Sequence, residues 1–368
     1  MKPKVSGTTK EIILCFLFAF ILYIFIVFPN IETGMKKDST SVDVESWRSH
    51  PLDSLGYYYL EMSEVPSVNE LLKNTIDSIF IVNYLKNLPN SVTLKNPKKH
   101  FVHFTNNYSA GTLKCHSYYL KTGKEEYLKL FWTNIDWMYD NVKIINDTIA
   151  LWTNDNMTYD KYNLDFGWPS AFGQGFGLSV LCRAYQISKD EKYISLAEKA
   201  LNSFNLDYKK GGILYLDYNE DYWYLEYPSN PPAYVLNGLI FSLFGIYDYW
   251  RVTSSPKALR YFQRGIKTLK NNLHKYDKGY WSAYDLEYNK YCAGYNYHKD
   301  IHITQLKVLY QITEDEIFNL YANKFSKYLS EPYFTMFKIK FTIDAVSRRL
   351  SYKNPFKHLS KERFQWDQ

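Results

Sequence analysis

The feature that most constrains this chain is a repeat. Between about residues 110 and 330 a short polar turn recurs four times: Lys121-Thr122-Gly123-Lys124, Ser188-Lys189-Asp190-Glu191, Thr253-Ser254-Ser255-Pro256 and Thr313-Glu314-Asp315-Glu316. An amphipathic segment follows each turn, starting near Tyr127, Tyr193, Leu259 and Phe318, at spacings of 66, 66 and 59 residues. In the second of these, Tyr193, Ile194, Leu196, Ala197, Ala200, Leu201 and Phe204 mark one face of a helix. A helix, a tight turn and a second helix, repeated at this period, predict a mainly α protein: an (α/α)n toroid of about four helix pairs. The intervening segments 141–168, 205–236 and 275–300 are rich in Tyr, Gly, Asp and Trp, and Gly211–Leu216 reads as a strand entering a β-hairpin. Such hairpin-bearing loops gather at one mouth of a toroid, where an active site is built. The architecture alone assigns no chemistry.

Ahead of the repeat, Ile12–Phe28 is an uncharged apolar run closed by Pro29 and preceded by Lys2, Lys4 and Lys10. Its 17 residues are at the short end of what spans a bilayer, and the basic flank keeps the N-terminus on the cytoplasmic side. The run ends in Val-Phe-Pro-Asn-Ile-Glu, which lacks the small residues of a signal-peptidase site. The expected organisation is a cytoplasmic tail (1–11), a transmembrane signal anchor (12–28), a polar stalk (29–50), a lead-in region (51–108) and the toroid (109–355). The catalytic domain then lies outside the cytoplasm, in a Golgi lumen or at a cell exterior. Three sequons, at Asn107, Asn146 and Asn156, agree with export.

The composition, 46% hydrophobic and 22% charged, is that of a folded globular protein. The net charge of +6 comes without a long basic run, so nucleic-acid binding is not indicated, while an acidic polymer remains a compatible partner. Aromatic residues reach 18%, including 36 Tyr; such rings serve as stacking platforms for the C–H face of a pyranose, or simply fill a helical core. Cys15 lies in the apolar run, leaving Cys115, Cys182 and Cys292, which allow at most one disulfide, from Cys115 to one of the other two. Cys182 reads as a buried helix residue. No metal-ligand spacing is visible, so no metal and no organic cofactor is expected.

Four segments carry a specific resemblance: Trp168-Pro169-Ser170-Ala171 with Gln174-Gly175, Ser179, Arg183 and Tyr185; Trp223-Tyr224-Leu225-Glu226-Tyr227-Pro228 with Val235-Leu236-Asn237-Gly238; Tyr284-Asp285-Leu286; and Tyr297-His298 with His302-Ile303-Thr304-Gln305-Leu306. In this order they resemble the D-glucuronyl C5-epimerase family, over roughly residues 165–310. The resemblance implies a uronyl C5-epimerase that converts glucuronate to iduronate in a polysaccharide, with Glu226, Tyr227, Tyr284 and Tyr297 as its catalytic residues. It further implies substrate contacts at Trp168, Ser170, Gln174, Trp223, Asn237, His298, His302 and Gln305. Glu287 stands where vertebrate-type members have an Arg after Tyr-Asp-Leu, and only about 60 residues precede the toroid where the heparan-modifying members have a long β-rich region.

The residue types suit that reaction. Inverting C5 means removing a hydrogen α to a carboxylate and returning one to the opposite face, which calls for two acid/base groups around one ring. Tyrosine can act as base when ionised and as acid when neutral. Tyr227 and Tyr297 could serve the two faces, Tyr284 could bond the carboxylate or enediolate, and Glu226 could accept the proton or orient a tyrosine. Asn237 also reads as the N-cap of the next helix, His298 and His302 equally as core histidines, and Gln174-Gly175 as a close approach of helices. Asp217, Glu220 and Asp221 read as a solvated hairpin more readily than as a cation site. Rival classes are a polysaccharide lyase, a glycoside hydrolase pairing Glu226 with Asp285 or Asp165, and a non-catalytic glycan-binding surface protein; a homodimer is left open. The topology predicts that protease added to sealed vesicles or intact cells cuts beyond residue 30 only from the non-cytoplasmic side. Digestion of the toroid from the cytoplasmic side would overturn it.

Overall fold

A computed structural model describes residues 104–155, 158–288 and 292–352. The anchor, the stalk, nearly all of the lead-in region and the Asn156 sequon lie outside the described residues. None of the described helices is long and apolar enough to cross a membrane. The fold is mainly α, made of consecutive helical hairpins: α1 (Phe104–Thr122) with α2 (Glu125–Asp140), α3 (Ala171–Ser188) with α4 (Glu191–Asn202), α5 (Leu236–Thr253) with α6 (Pro256–Asn272), and α7 (Ile303–Thr313) with α8 (Glu316–Lys327). A further helix, α9, spans Tyr333–Tyr352.

The four expected turns share one atomic plan. Gly123, Lys189, Ser254 and Glu314 each adopt a left-handed backbone, and each donates its N–H, at 2.7 Å, to the carbonyl four residues back, on Tyr119, Tyr185, Trp250 and Tyr310. The hydroxyl just before each of them (Thr122, Ser188, Thr253, Thr313) bonds the preceding helical turn and accepts the N–H two residues on. The hydroxyl thus back-bonds a carbonyl of the last helical turn and at the same time accepts an N–H from the start of the next segment, clamping the two together. Asp190, Ser255 and Asp315 then cap the second helix of their pairs.

Inner and outer helices differ in composition because they differ in surroundings. α4, α6 and α8 bury one stripe each, such as Ala258, Tyr261, Phe262, Gly265 and Leu269 on α6. α3 and α5 are buried almost all round and pack on each other. Their backbones touch: a Cβ on Gly175 would fall on the Cα of Ser242, and one on Gly245 would fall on the carbonyl of Gly175. Further along the same pair, Arg183 donates at 2.8 Å to Asp248 and at 2.9 Å to the Ser179 carbonyl, with both charged side chains buried. Cys115, Cys182 and Cys292 are buried free thiols, so the allowed disulfide does not form.

At the end opposite the tight turns, the long connections carry short antiparallel pairs. β1 (Lys143–Ile145) pairs with β2 (Ile149–Leu151), with Ile144 opposite Ala150; β3 (Thr153–Asn154) pairs with β4 (Trp168–Pro169); and β5 (Leu214–Leu216) pairs with β6 (Tyr222–Tyr224), with Tyr215 opposite Trp223. Asn146 sits exposed in the β1–β2 turn with a positive φ. The β5–β6 hairpin is less solvated than its acidic residues suggest. Asp217 accepts the Trp223 indole at 3.1 Å, and buried Asp221 accepts Asn271 and Asn272 at 2.8 and 2.7 Å, tying the hairpin to α6.

Two glycine substitutions separate packing from backbone effects. Gly245→Ala should cost about 2–3 kcal/mol or more in urea unfolding, because its Cβ has no room between the inner helices. Gly123→Ala, with open space around it and φ at +67°, should cost only about 1 kcal/mol for the left-handed backbone. A Gly245→Ala cost no larger than the Gly123→Ala cost would refute the close contact.

Candidate active site

The long-loop end brings together residues that are far apart in sequence. Glu226 and Tyr227 follow β6, whose exit is fixed where Leu225 donates to the Ile213 carbonyl and its own carbonyl accepts Ala171 at the start of α3. The Tyr284 carbonyl accepts the N–H of Leu236 at the start of α5, at 3.1 Å. Tyr297 opens a π-helical segment, Tyr297–His302, that runs into α7. Such wide turns insert one residue into a helix and are frequent at functional sites.

All four residues expected to be catalytic meet here. Tyr227 is hydrogen-bonded to Glu226, Tyr284 to Tyr227, and Tyr297 to Tyr284. The rings of Tyr284 and Tyr297 meet edge to face at 5.1 Å. Glu226 and Tyr227 are buried, whereas Tyr297 is 41% exposed and forms the open end.

Burial dominates the electrostatics. It drives the Glu226 carboxyl up to about 8, against the opposing pull of the Tyr227 hydrogen bond and the Lys161 charge. The phenols of Tyr227 and Tyr284 are pushed well above their usual range by burial and by Glu226, and Tyr297 is raised for the same two reasons. Glu226 sits against the first turn of α5. Asn237 donates to its Oε2 at 3.4 Å, and a Cβ on Gly238 would occupy the carboxylate's place.

The residues expected to touch substrate are placed differently. Trp168, Ser170, Gln174, Trp223, Asn237, His298, His302 and Gln305 are all buried. Ser170 caps α3. Gln174 accepts the Trp152 N–H and donates to the Ala150 carbonyl and the Ser203 hydroxyl, at 2.8–2.9 Å, so it staples β2 to the helices. Trp223 bonds Asp217 on its own hairpin. Asn237 is not an N-cap: α5 starts at Leu236, and its side chain is turned to Glu226. Gln305 donates to the Asn237 carbonyl at 3.1 Å. His298 and His302 both place Nδ1 2.8 Å from the Ser282 hydroxyl, and His298 Nε2 lies 3.0 Å from the Phe325 carbonyl. Burial holds the two histidines down to about 4 and about 3, so both are neutral at physiological pH. They tie the π-helical segment to the loop that carries Tyr284. Trp168 packs its ring 5.8 Å from that of Tyr227. These residues form the frame of the site, beneath and behind it.

The residues beside this row come from the connection between β3 and β4. Tyr162 stacks on Tyr227 at 4.1 Å and 13°, and Tyr159 lies 5.2 Å from the same ring. Lys161 Nζ is 2.7 Å from the Tyr162 hydroxyl and 3.6 Å from Asp285 Oδ2. Asp285, fully buried, also accepts the Tyr162 hydroxyl at 3.1 Å. The aromatic and acidic bias of segment 141–168 was the available signal for this loop. Among the described residues, no group of three or more His, Cys, Asp or Glu gathers as a metal site would require.

Fold and site together define a helical-hairpin protein with a buried carboxyl–phenol row at its long-loop end. Residues 146–327 match the model of the D-glucuronyl C5-epimerase C-terminus family. The chain is similar to the D-glucuronyl C5-epimerase of Caenorhabditis elegans, at 32% identity over 56% of this chain and 36% of that protein. It is also similar to an uncharacterized protein of Methanocaldococcus jannaschii, at 36% identity over 49% of this chain and 58% of the other. The matches thus take in little over a third of the first relative and little over half of the second. A solved structure of D-mannose isomerase aligns with 80% of this chain and 90% of its own, at 10% identity and a TM-score of 0.43, a likeness too distant to define fold or activity.

The raised Glu226 predicts a pH signature in stability. Its folded-state value lies above the ordinary 4.5, so the folded protein holds this proton more tightly than the unfolded chain does. The resulting stabilisation is complete below about pH 4.5 and is lost as pH rises through about 8. Urea unfolding of wild type and Glu226→Gln across this range should show wild type losing stability relative to the variant as pH rises. A difference that stays constant with pH would contradict the burial of an ionisable Glu226.

Proposed function

We propose that this protein is a uronyl C5-epimerase that inverts C5 of glucuronate residues in a polysaccharide, giving iduronate. The observation that carries the reading is the hydrogen-bonded row Glu226–Tyr227–Tyr284–Tyr297, which ends buried on a carboxyl and open on a phenol. A phenol as weakly acidic as these is a poor base alone. It becomes competent when its own proton leaves as the substrate's arrives. Tyr227 takes the C5 proton while passing its hydroxyl proton to ionised Glu226, and the C–H electron pair moves into the carboxylate to form an enediolate. Tyr297, at the open end, returns a proton to the opposite face, and the carboxylate reforms. A Glu226 value of about 8 places this acceptor near working pH, where acid–base catalysis is most effective.

The finer architecture belongs to the same proposal. The helical hairpins close into an (α/α) toroid with the row at its mouth, and residues 12–28 hold that domain on the non-cytoplasmic side of a membrane. A glycoside hydrolase pairing Glu226 with Asp285 fits less well, since Asp285 is buried and already engaged by Tyr162 and Lys161.

Incubation of the ectodomain with glucuronate polymers in D2O should place deuterium at C5 without new chain ends. A new unsaturated, UV-absorbing end would mean a lyase, and new reducing ends alone a hydrolase. Tyr227→Phe and Tyr297→Phe should each lower turnover by about 10²–10⁴ while thermal unfolding shows both folded. Near-full activity in both would refute the tyrosine mechanism.

A further inference from the structure

We propose that Lys161 is the residue that binds the uronate carboxylate and holds it against the phenol row, a role that rests on the reading above. Abstraction of C5–H pushes an electron pair onto the carboxylate, so its oxygens gain charge as the bond breaks. A carboxylate that enters this site meets the acidic side chains of Glu226 and the buried Asp285, which disfavour a further anion. Binding and reaction both call for a cation at the carboxylate. Glu287, exposed on the loop after Tyr284, carries the wrong sign for that task.

Lys161 is placed for it. Its Nζ stands 4.4 Å from the centroid of the Tyr162 ring and 5.3 Å from that of Tyr284, so it lies beside the row's central phenol. It is the cation whose charge acts on Glu226. Its counter-ion Asp285 is fully buried, while the Lys161 side chain is 37% exposed. The ion pair therefore has a sealed side and an open side. Asp285 and the Tyr162 hydroxyl hold the ammonium from behind, and an incoming carboxylate can approach from the front. Tyr162 also stacks on Tyr227, so the same short turn, Asp160–Tyr162, fixes the position of the cation relative to the base. Asp285 is then a positioning residue, which explains a carboxylate beside a site that must bind an anion.

Two measurements on the purified full-length protein test this. The first is equilibrium binding of an unsulfated glucuronate polymer and of the same polymer with its carboxyls reduced to alcohols. Wild type should prefer the carboxylate form by about 10- to 100-fold, the range expected for a hydrogen bond to a charged group. Lys161→Met should abolish that preference while binding the reduced polymer as wild type does, and Lys161→Arg should restore much of it. The second is C5 deuterium exchange, where Lys161→Met should lower kcat/KM and Lys161→Arg should recover part of the loss. If Lys161→Met unfolds, Lys161→Gln takes its place in both. No carboxylate preference in wild type, or a preference unchanged in the folded neutral variant, overturns the proposal. If wild type exchanges no C5 hydrogen yet loses its carboxylate preference with Lys161, the epimerase reading fails and the assignment of Lys161 stands.

Discussion

The structure depends on two helices that meet backbone to backbone. Where α3 crosses α5, Gly175 and Gly245 leave no room for a side chain on either, and the Arg183–Asp248 pair closes the same interface further along. Dispersion contacts are strongest where atoms approach without intervening bulk, but a glycine contact also lowers the tolerance for error. The approach sets where both helices begin, and the site is assembled on those beginnings. Ala171 at the start of α3 bonds the residue before Glu226, and Leu236 at the start of α5 bonds Tyr284. Two loops that share no sequence neighbourhood are thus referred to one rigid pair. Backbone hydrogen bonds, which vary little, register these loops on the helix pair, and side-chain contacts such as Asn237 to Glu226 complete the positioning.

Opposed electrostatic effects then set the chemistry. Burial makes every ionisation in the row costly, and Glu226 raises the phenols further. Lys161 and the Tyr227 hydrogen bond pull Glu226 the other way, and its place at the first turn of α5 adds the positive end of a helix dipole. The balance leaves one group, the carboxyl, within reach of physiological pH while the phenols stay neutral.

How much of this was legible in the sequence follows from where each interaction originates. The hairpins were readable because their turns are local: a hydroxyl, one left-handed residue and a cap lie within four positions, as in Thr313-Glu314-Asp315-Glu316. That Glu226, Tyr227, Tyr284 and Tyr297 meet was readable because the motifs around them follow one family order. The residues expected to touch substrate lie buried in the frame of the site for a physical reason. A motif at a helix start, such as that around Gln174, reflects whatever the helix must do to dock, and docking here consumed the polar atoms. Lys161 and Tyr162 gave no sign in isolation, since an Asp-Lys-Tyr turn resembles any solvated loop, and Asp285 was legible only as part of Tyr-Asp-Leu, not as their partner. Their meeting spans 123 residues between Tyr162 and Asp285 and exists only once the helices are in place.

The matched turns at the far end have a consequence for how such a chain can change. Each hairpin is closed at its base by the same four-residue device, and the described long connections that carry the row emerge at the opposite end. The base is thus a chassis and the mouth a set of interchangeable fittings. Lengthening or exchanging one connection leaves the other hairpins' bases, and the glycine crossing between them, untouched. Lineages built on this plan are free to trade specificity at the mouth while heat resistance, set by the base and the inner crossing, evolves on its own schedule.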